Sequence, residues 1–223
     1  MLEWLKRFFD FAEIVGTVAF AASGAMIAID RELDMFGVLF LGVTAAVGGG
    51  IVRDLFLGML PPGAFRNPIY VGMSATVALA VFLFAWLNQR QYRRQHAQMD
   101  RVINLLDAIG LGAFGMIGVE TAMAMGHGDN LFLCVFMGMT TGVGGGILRD
   151  VFSREVPMVL RKRIYAVAVI LGCVLYYALR RAAVSTPVSM ATGMVAVLII
   201  RLCAVRFHWN LPAVHAQNRG TDD

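Results

Sequence analysis

The chain has 223 residues, 58% of them hydrophobic and 15% charged, whereas a soluble domain carries about 25% charged residues. Its apolar residues come in long runs and its mean hydropathy is +0.69, which excludes an ordinary water-soluble fold and indicates a polytopic membrane protein. The net charge of +4 reads as topology rather than as a nucleic-acid surface, because basic side chains beside anionic membrane lipid are what anchors a cytoplasmic face.

A bilayer-spanning helix needs about 20 mainly apolar residues, and seven segments qualify: 11–29, 35–57, 68–87, 102–124, 130–152, 163–180 and 187–206. The first could imitate a secretory signal, since Lys6-Arg7 precedes it and small residues follow Phe20. Its Gly16/Phe20/Gly24 frame returns deep in the chain as Gly110/Phe114/Gly118, so a retained helix is expected. The second segment contains Thr44-Ala-Ala-Val-Gly-Gly-Gly-Ile-Val-Arg-Asp54, and the fifth contains Thr140-Thr-Gly-Val-Gly-Gly-Gly-Ile-Leu-Arg-Asp150, 96 residues later. Ile69-Tyr70 at the start of the third is answered by Ile164-Tyr165 at the start of the sixth. These matches keep one order and make the chain an internal duplication, with repeat one at 11–88, repeat two at 102–180 and a seventh helix at 187–206. The polar connections are too short for another domain, so residues 1–223 form one integral membrane domain.

Three helices per repeat is an odd number, so the second repeat enters the bilayer from the opposite side. The expected fold is therefore an all-α membrane protein built from two inverted three-helix repeats and a seventh helix. Eleven Lys and Arg lie on the side of the C-terminus against five on the side of the N-terminus, which places the C-terminus in the cytoplasm and the N-terminus outside.

The chemistry is concentrated in the two Gly-Gly-Gly-x-x-Arg-Asp motifs. Three glycines in a row cost a helix about 1 kcal/mol each relative to alanine, so the second and fifth helices are expected to break at Gly48, Gly49, Gly50 and at Gly144, Gly145, Gly146. Freed backbone groups are tolerated in hydrocarbon only where protein or a water-filled cavity satisfies them, and side chains added there would enter any path that the breaks line. Arg53, Asp54, Arg149 and Asp150 follow within two turns. Neighbouring helical residues point about 100° apart, so neither arginine is expected to pair with the aspartate beside it; each should find a carboxylate elsewhere. Glu13, Asp107 and Glu120 are further intramembrane acids, and Arg201 a further intramembrane base; such groups usually face a bundle interior or an aqueous path. Two plainer readings exist: buried ion pairs that only hold helix register, and glycines that only permit close packing, as in Gly138/Gly142.

Other chemistry finds little footing. Cys134, Cys173 and Cys203 lie in apolar helices, and the four histidines share no ligand spacing with them, so neither a disulfide framework nor a metal site is expected. The glycine runs lack a preceding strand and a Gly-Lys-Ser/Thr ending, which removes the nucleotide-binding reading. No cofactor motif and no catalytic constellation occurs, so the chain is not expected to be an enzyme. Inverted repeats with interrupted helices are how permeation proteins build a site near the bilayer midplane.

The doubled Gly-Gly-Gly-x-x-Arg-Asp, the acid-x-x-Gly-x-x-x-Phe-x-x-x-Gly frame at Glu13 and Asp107, and the three-plus-three-plus-one helix count resemble the bacterial branch of the trimeric intracellular cation (TRIC) channel family, also labelled as a glycine-transporter domain. The resemblance covers roughly residues 11 to 207. It implies a bacterial inner-membrane homotrimer with an hourglass pore in each subunit, lined by the first, second, fourth and fifth helices, passing potassium and sodium. It also implies kinks at Gly48–Gly50 and Gly144–Gly146, with Arg53, Asp54, Arg149 and Asp150 as pore charges. Animal members bind an acidic inositol lipid through a Lys-Glu-Val run on the fourth helix, which this sequence lacks. The alternative to a channel is a secondary transporter of a small zwitterion such as glycine, whose carboxylate the helix ends would receive.

Overall fold

The computed structural model describes residues 2–89, 96–161, 164–207 and 209. Among them are nine α-helices: α1 (Leu2–Asp30), α2 (Met35–Phe56), α3 (Gly63–Arg66), α4 (Ile69–Leu87), α5 (His96–Ala122), α6 (Leu131–Phe152), α7 (Met158–Arg161), α8 (Ala166–Arg181) and α9 (Thr186–Arg206). Residues Met123–His127 continue α5 into a kink, where the Gly126 backbone is non-helical with φ of 90°. Six of the long helices are long and apolar enough to cross a membrane, and α8, with 16 residues, is the short one. The chain is thus an all-helical membrane protein. The basic residues Arg90, Arg93 and Arg94 lie outside the described residues.

The two motif-bearing helices start and stop by the same devices. Asp34 caps α2 by accepting from the Gly37 amide at 2.8 Å, and Asn130 caps α6 by accepting from Leu133 at 3.0 Å. At the other end the Gly58 and Arg154 backbones turn left-handed, with φ of 69° and 59°. There Met59 donates to the Asp54 carbonyl and Glu155 to the Asp150 carbonyl, each at 2.8 Å, which satisfies carbonyls that the helix end would otherwise orphan.

Helices α1, α2, α5 and α6 form the centre; α4 packs outside α1 and α2, α8 outside α5 and α6, and α9 outside α5 and α8. The Gly-x-x-x-Phe frames explain how α1 meets α5. A Cβ on Gly110 would lie 2.9 Å from the Phe20 ring, and one on Gly16 would lie 3.1 Å from the Phe114 ring. Each phenylalanine therefore fills the space left by the other frame's glycine, and the two rings stack at 5.6 Å.

The expected breaks do not occur. Both α2 and α6 run as uninterrupted α-helix through Gly48–Gly50 and Gly144–Gly146, and the positive-φ glycines are Gly58 and Gly126. The glycines serve a crossing instead. A Cβ on Gly49 would collide with the Thr141 carbonyl, one on Gly145 with the Ala45 carbonyl, and one on Gly144 would lie 3.1 Å from the Gly49 Cα. Backbone meets backbone, and the close contact offsets the poor helix propensity of the run. Because Ala45 faces Gly145 while Gly49 faces Thr141, the two helices cross antiparallel.

Candidate functional site

Arg53 and Asp54 lie one turn beyond the crossing along α2, and Arg149 and Asp150 one turn beyond it along α6. The antiparallel crossing puts the two pairs on opposite sides of the glycine contact.

The second pair anchors a fully buried cluster. The Arg149 Nε donates to Asp150 Oδ1 at 2.9 Å, and Nη2 lies 2.8 Å from the same oxygen, too poorly angled for a hydrogen bond. Nη1 donates to Asp107 Oδ1 on α5 and to the Ser23 hydroxyl on α1 at 2.8 Å. The Tyr165 hydroxyl donates to Asp107 Oδ2 at 2.6 Å. Asp150 uses its other oxygen to accept from the Met158 amide at 2.8 Å, which holds the start of α7. From α9, the Arg201 guanidinium lies 4.8 Å above the Tyr165 ring, within the range of a cation–π contact.

The first pair anchors a looser version of the same plan. Arg53 donates through Nε at 2.9 Å and Nη2 at 2.7 Å to Asp54 Oδ1, and Asp54 Oδ2 accepts from the Gly63 amide at 2.7 Å, which holds the start of α3. Tyr70, Arg53 and Asp54 all lie within electrostatic reach of Glu13. The Arg53 side chain keeps 14% of its surface exposed, against 0% for Arg149.

Two expectations need correcting. Each arginine does pair with its neighbouring aspartate, because the long, flexible arginine stem folds back and spans the 100° between adjacent side chains at a helix end. Arg149 also finds the expected carboxylate on another helix, in Asp107, while the hydrogen bonds of Arg53 go to Asp54 alone among the described residues. Glu120 belongs to neither cluster. It ties α5 to α8, accepting from Arg180 at 3.1 and 3.3 Å and from the Tyr176 hydroxyl at 2.5 Å.

The six glycines also differ in what they do. Gly48, Gly49, Gly144 and Gly145 form the crossing. A Cβ on Gly146 would lie 2.9 Å from the Tyr165 hydroxyl, whereas one on Gly50 would meet nothing nearer than Arg53 Nη2 at 3.9 Å. Sequence reasoning gave no role to Tyr70, Tyr165 or Ser23, nor to the short helices that the motif aspartates hold. The repeated Ile-Tyr and the paired Pro62 and Pro157, 95 residues apart, were the available signals.

A family model described as "Glycine transporter" matches the chain twice, over residues 10–86 and 104–181. The UPF0126 inner membrane protein YadS of Escherichia coli K12 is 41% identical over 210 residues, covering 93% of this chain and 97% of that protein. The UPF0126 membrane protein YvgT of Bacillus subtilis is 32% identical over 203 residues, covering 91% and 95%. A solved chain described under "Structural basis for conductance through TRIC cation channels" superposes with a TM-score of 0.79 at 34% identity, covering 94% of this chain and 98% of that one. The TRIC orthologue of Rhodobacter sphaeroides superposes with a TM-score of 0.80 at 32% identity, covering 90% and 98%. With its doubled glycine motif, its paired clusters and these relatives, the chain belongs to the bacterial branch of the trimeric intracellular cation channel family, whose family model carries the glycine-transporter description.

Proposed function

We propose that the chain is a channel for monovalent cations, potassium and sodium, that works as a homotrimer with one pore per subunit, lined by α1, α2, α5 and α6. The observation that carries this reading is the pair of acid–arginine–aspartate–tyrosine clusters on opposite sides of a backbone-to-backbone crossing. In that closed arrangement Arg53 occupies Asp54, and Arg149 occupies Asp107 and Asp150, carboxylates that a passing cation would use. Parting α2 from α6 at the glycines, which have no side chains to disengage, opens a path; release of the arginines frees carboxylate oxygens along it. Positive charge would then be favoured and anions opposed.

The two halves are inverted, with the N-terminus outside and the C-terminus in the cytoplasm of a bacterial inner membrane, and the short α8 completes seven spans with α9 as the seventh. The antiparallel crossing of α2 and α6 supports inversion, and the excess of basic residues on one side supports the orientation. The chain acts by permeation rather than catalysis.

The family description favours one alternative, a carrier of glycine. Purified protein reconstituted in liposomes separates the two: potassium flux without saturable uptake of labelled glycine is expected. Glycine uptake that saturates, with no potassium conductance, would replace the channel by the carrier.

A further inference from the structure

The two clusters share a plan but not a charge. The first holds Glu13, Asp54 and Arg53, and Asp10, one turn before Glu13, lies close enough to act on both Glu13 and Tyr70. That is three carboxylates against one guanidinium, a formal balance of −2. In the second cluster Asn104 stands where Asp10 stands in the first, 94 residues on. Asp107 and Asp150 there are matched by Arg149 and by Arg201, so the formal balance is zero.

Arg201 is what makes the difference, and it has no counterpart, because α9 lies outside the duplication. Only 2% of its surface is exposed. Its Nε and Nη2 make no hydrogen bond, and among the described residues it forms no ion pair. Its charge is therefore not absorbed by a carboxylate of its own and falls on the Tyr165 ring at 4.8 Å and, through it, on Asp107. Arg201 borders a cavity of about 660 Å³ together with Arg101 and Arg206, but with only 2% of its surface exposed its field is screened less than that of surface charges, which fades beyond about 8 Å at physiological salt. The outer charges at this end, Asp30, Asp100, Glu155 and its ion-pair partner Arg31, line with Asp150 a cavity of about 480 Å³ open to the surface, where salt screens the exposed ones.

We propose that Arg201 determines the direction-dependence of cation flow: the guanidinium that α9 adds to the second cluster lowers cation occupancy there, so cations driven from the first cluster toward the second pass more readily than in reverse. This rests on the channel reading above. At a separation of about 10 Å a unit charge changes cation occupancy by roughly twofold in a water-like dielectric and by more than about tenfold at the effective dielectric of a protein site, so the asymmetry is large enough to read.

Single-channel currents in planar bilayers at about 0.15 M symmetrical salt test it, since the orientation of insertion sets only the sign. Wild type should pass at least about twofold more current at one polarity. Arg201→Gln should lower that ratio, Arg201→Gln combined with Glu13→Gln should bring it to about one, and Arg201→Lys should keep it. Should Arg201→Gln fail to assemble, Glu13→Gln alone must still lower the ratio, because it removes charge from the first cluster. A linear wild-type current–voltage relation, or an unchanged ratio in Arg201→Gln or Glu13→Gln, overturns the proposal and leaves the channel standing. A wild type that passes no cation removes both.

Discussion

At the scale of the residue, the equivalent arginines have unequal surroundings. Arg149 is sealed among Asp107, Asp150 and Ser23, whereas Arg53 has Asp54 and some contact with solvent. Removing one partner of a buried pair typically costs about 3–5 kcal/mol, while a partly exposed pair is worth about 1 kcal/mol or less. Arg149→Ala should therefore lower the thermal midpoint in detergent well below that of Arg53→Ala, and should raise open probability, since it frees Asp107 and Asp150. If Arg149→Ala loses stability yet gates like wild type, the second cluster only holds helix register. The acids and bases of both clusters, Asp10 apart, were legible in the sequence as charges inside apolar runs. Their partners were not. Which carboxylate an arginine selects depends on how its long stem folds, and Ser23 reaches the second cluster only because α1 interlocks with α5, which is far from it in sequence.

At the scale of the element, the glycine runs separate pattern from geometry. Their position and repetition are plain in the sequence; helix propensity alone favours a break there, and packing overrides it. This changes what a substitution does. Gly49→Ala and Gly145→Ala drive a methyl into a facing carbonyl, where overpacking costs about 1–3 kcal/mol, so both should reduce the yield and thermal midpoint of folded protein before any flux is measured. Gly50→Ala, with open space around it, should leave the midpoint unchanged or raise it, since alanine adds up to about 1 kcal/mol of helix propensity. Equal loss in all three variants would show that the crossing is looser than backbone contact. The helix limits fared better: segments expected at 35–57 and 68–87 appear as Met35–Phe56 and Ile69–Leu87. Hydropathy and the Asp34 cap mark such ends locally, whereas α3 and α7 depend on tertiary bonds to Asp54 and Asp150 and left no periodic trace.

At the scale of the whole molecule, duplication and family were legible because repeated motifs survive in one dimension. The spatial relation of the halves is a separate matter, and labelling tests it. Single cysteines placed at Arg66 and at Arg154, in a background with the native cysteines replaced, should react with a membrane-impermeant thiol reagent from opposite sides of intact spheroplasts. Labelling of both from one side would exclude inversion. The interlock of Phe20 over Gly110 with Phe114 over Gly16 has a separate consequence. Such a contact is self-complementary: the same surface serves as socket and as plug. An unduplicated ancestor carrying one frame could have docked onto a second copy of itself inserted the other way up, and gene fusion would then have made that pairing permanent without inventing a new interface. The modern halves still own matching surfaces, so a chain severed between residues 86 and 104 and made as two polypeptides should reassemble in the membrane and copurify. A Phe114→Ala change in the second piece alone should weaken that reunion, since it empties the socket at Gly16 in the first.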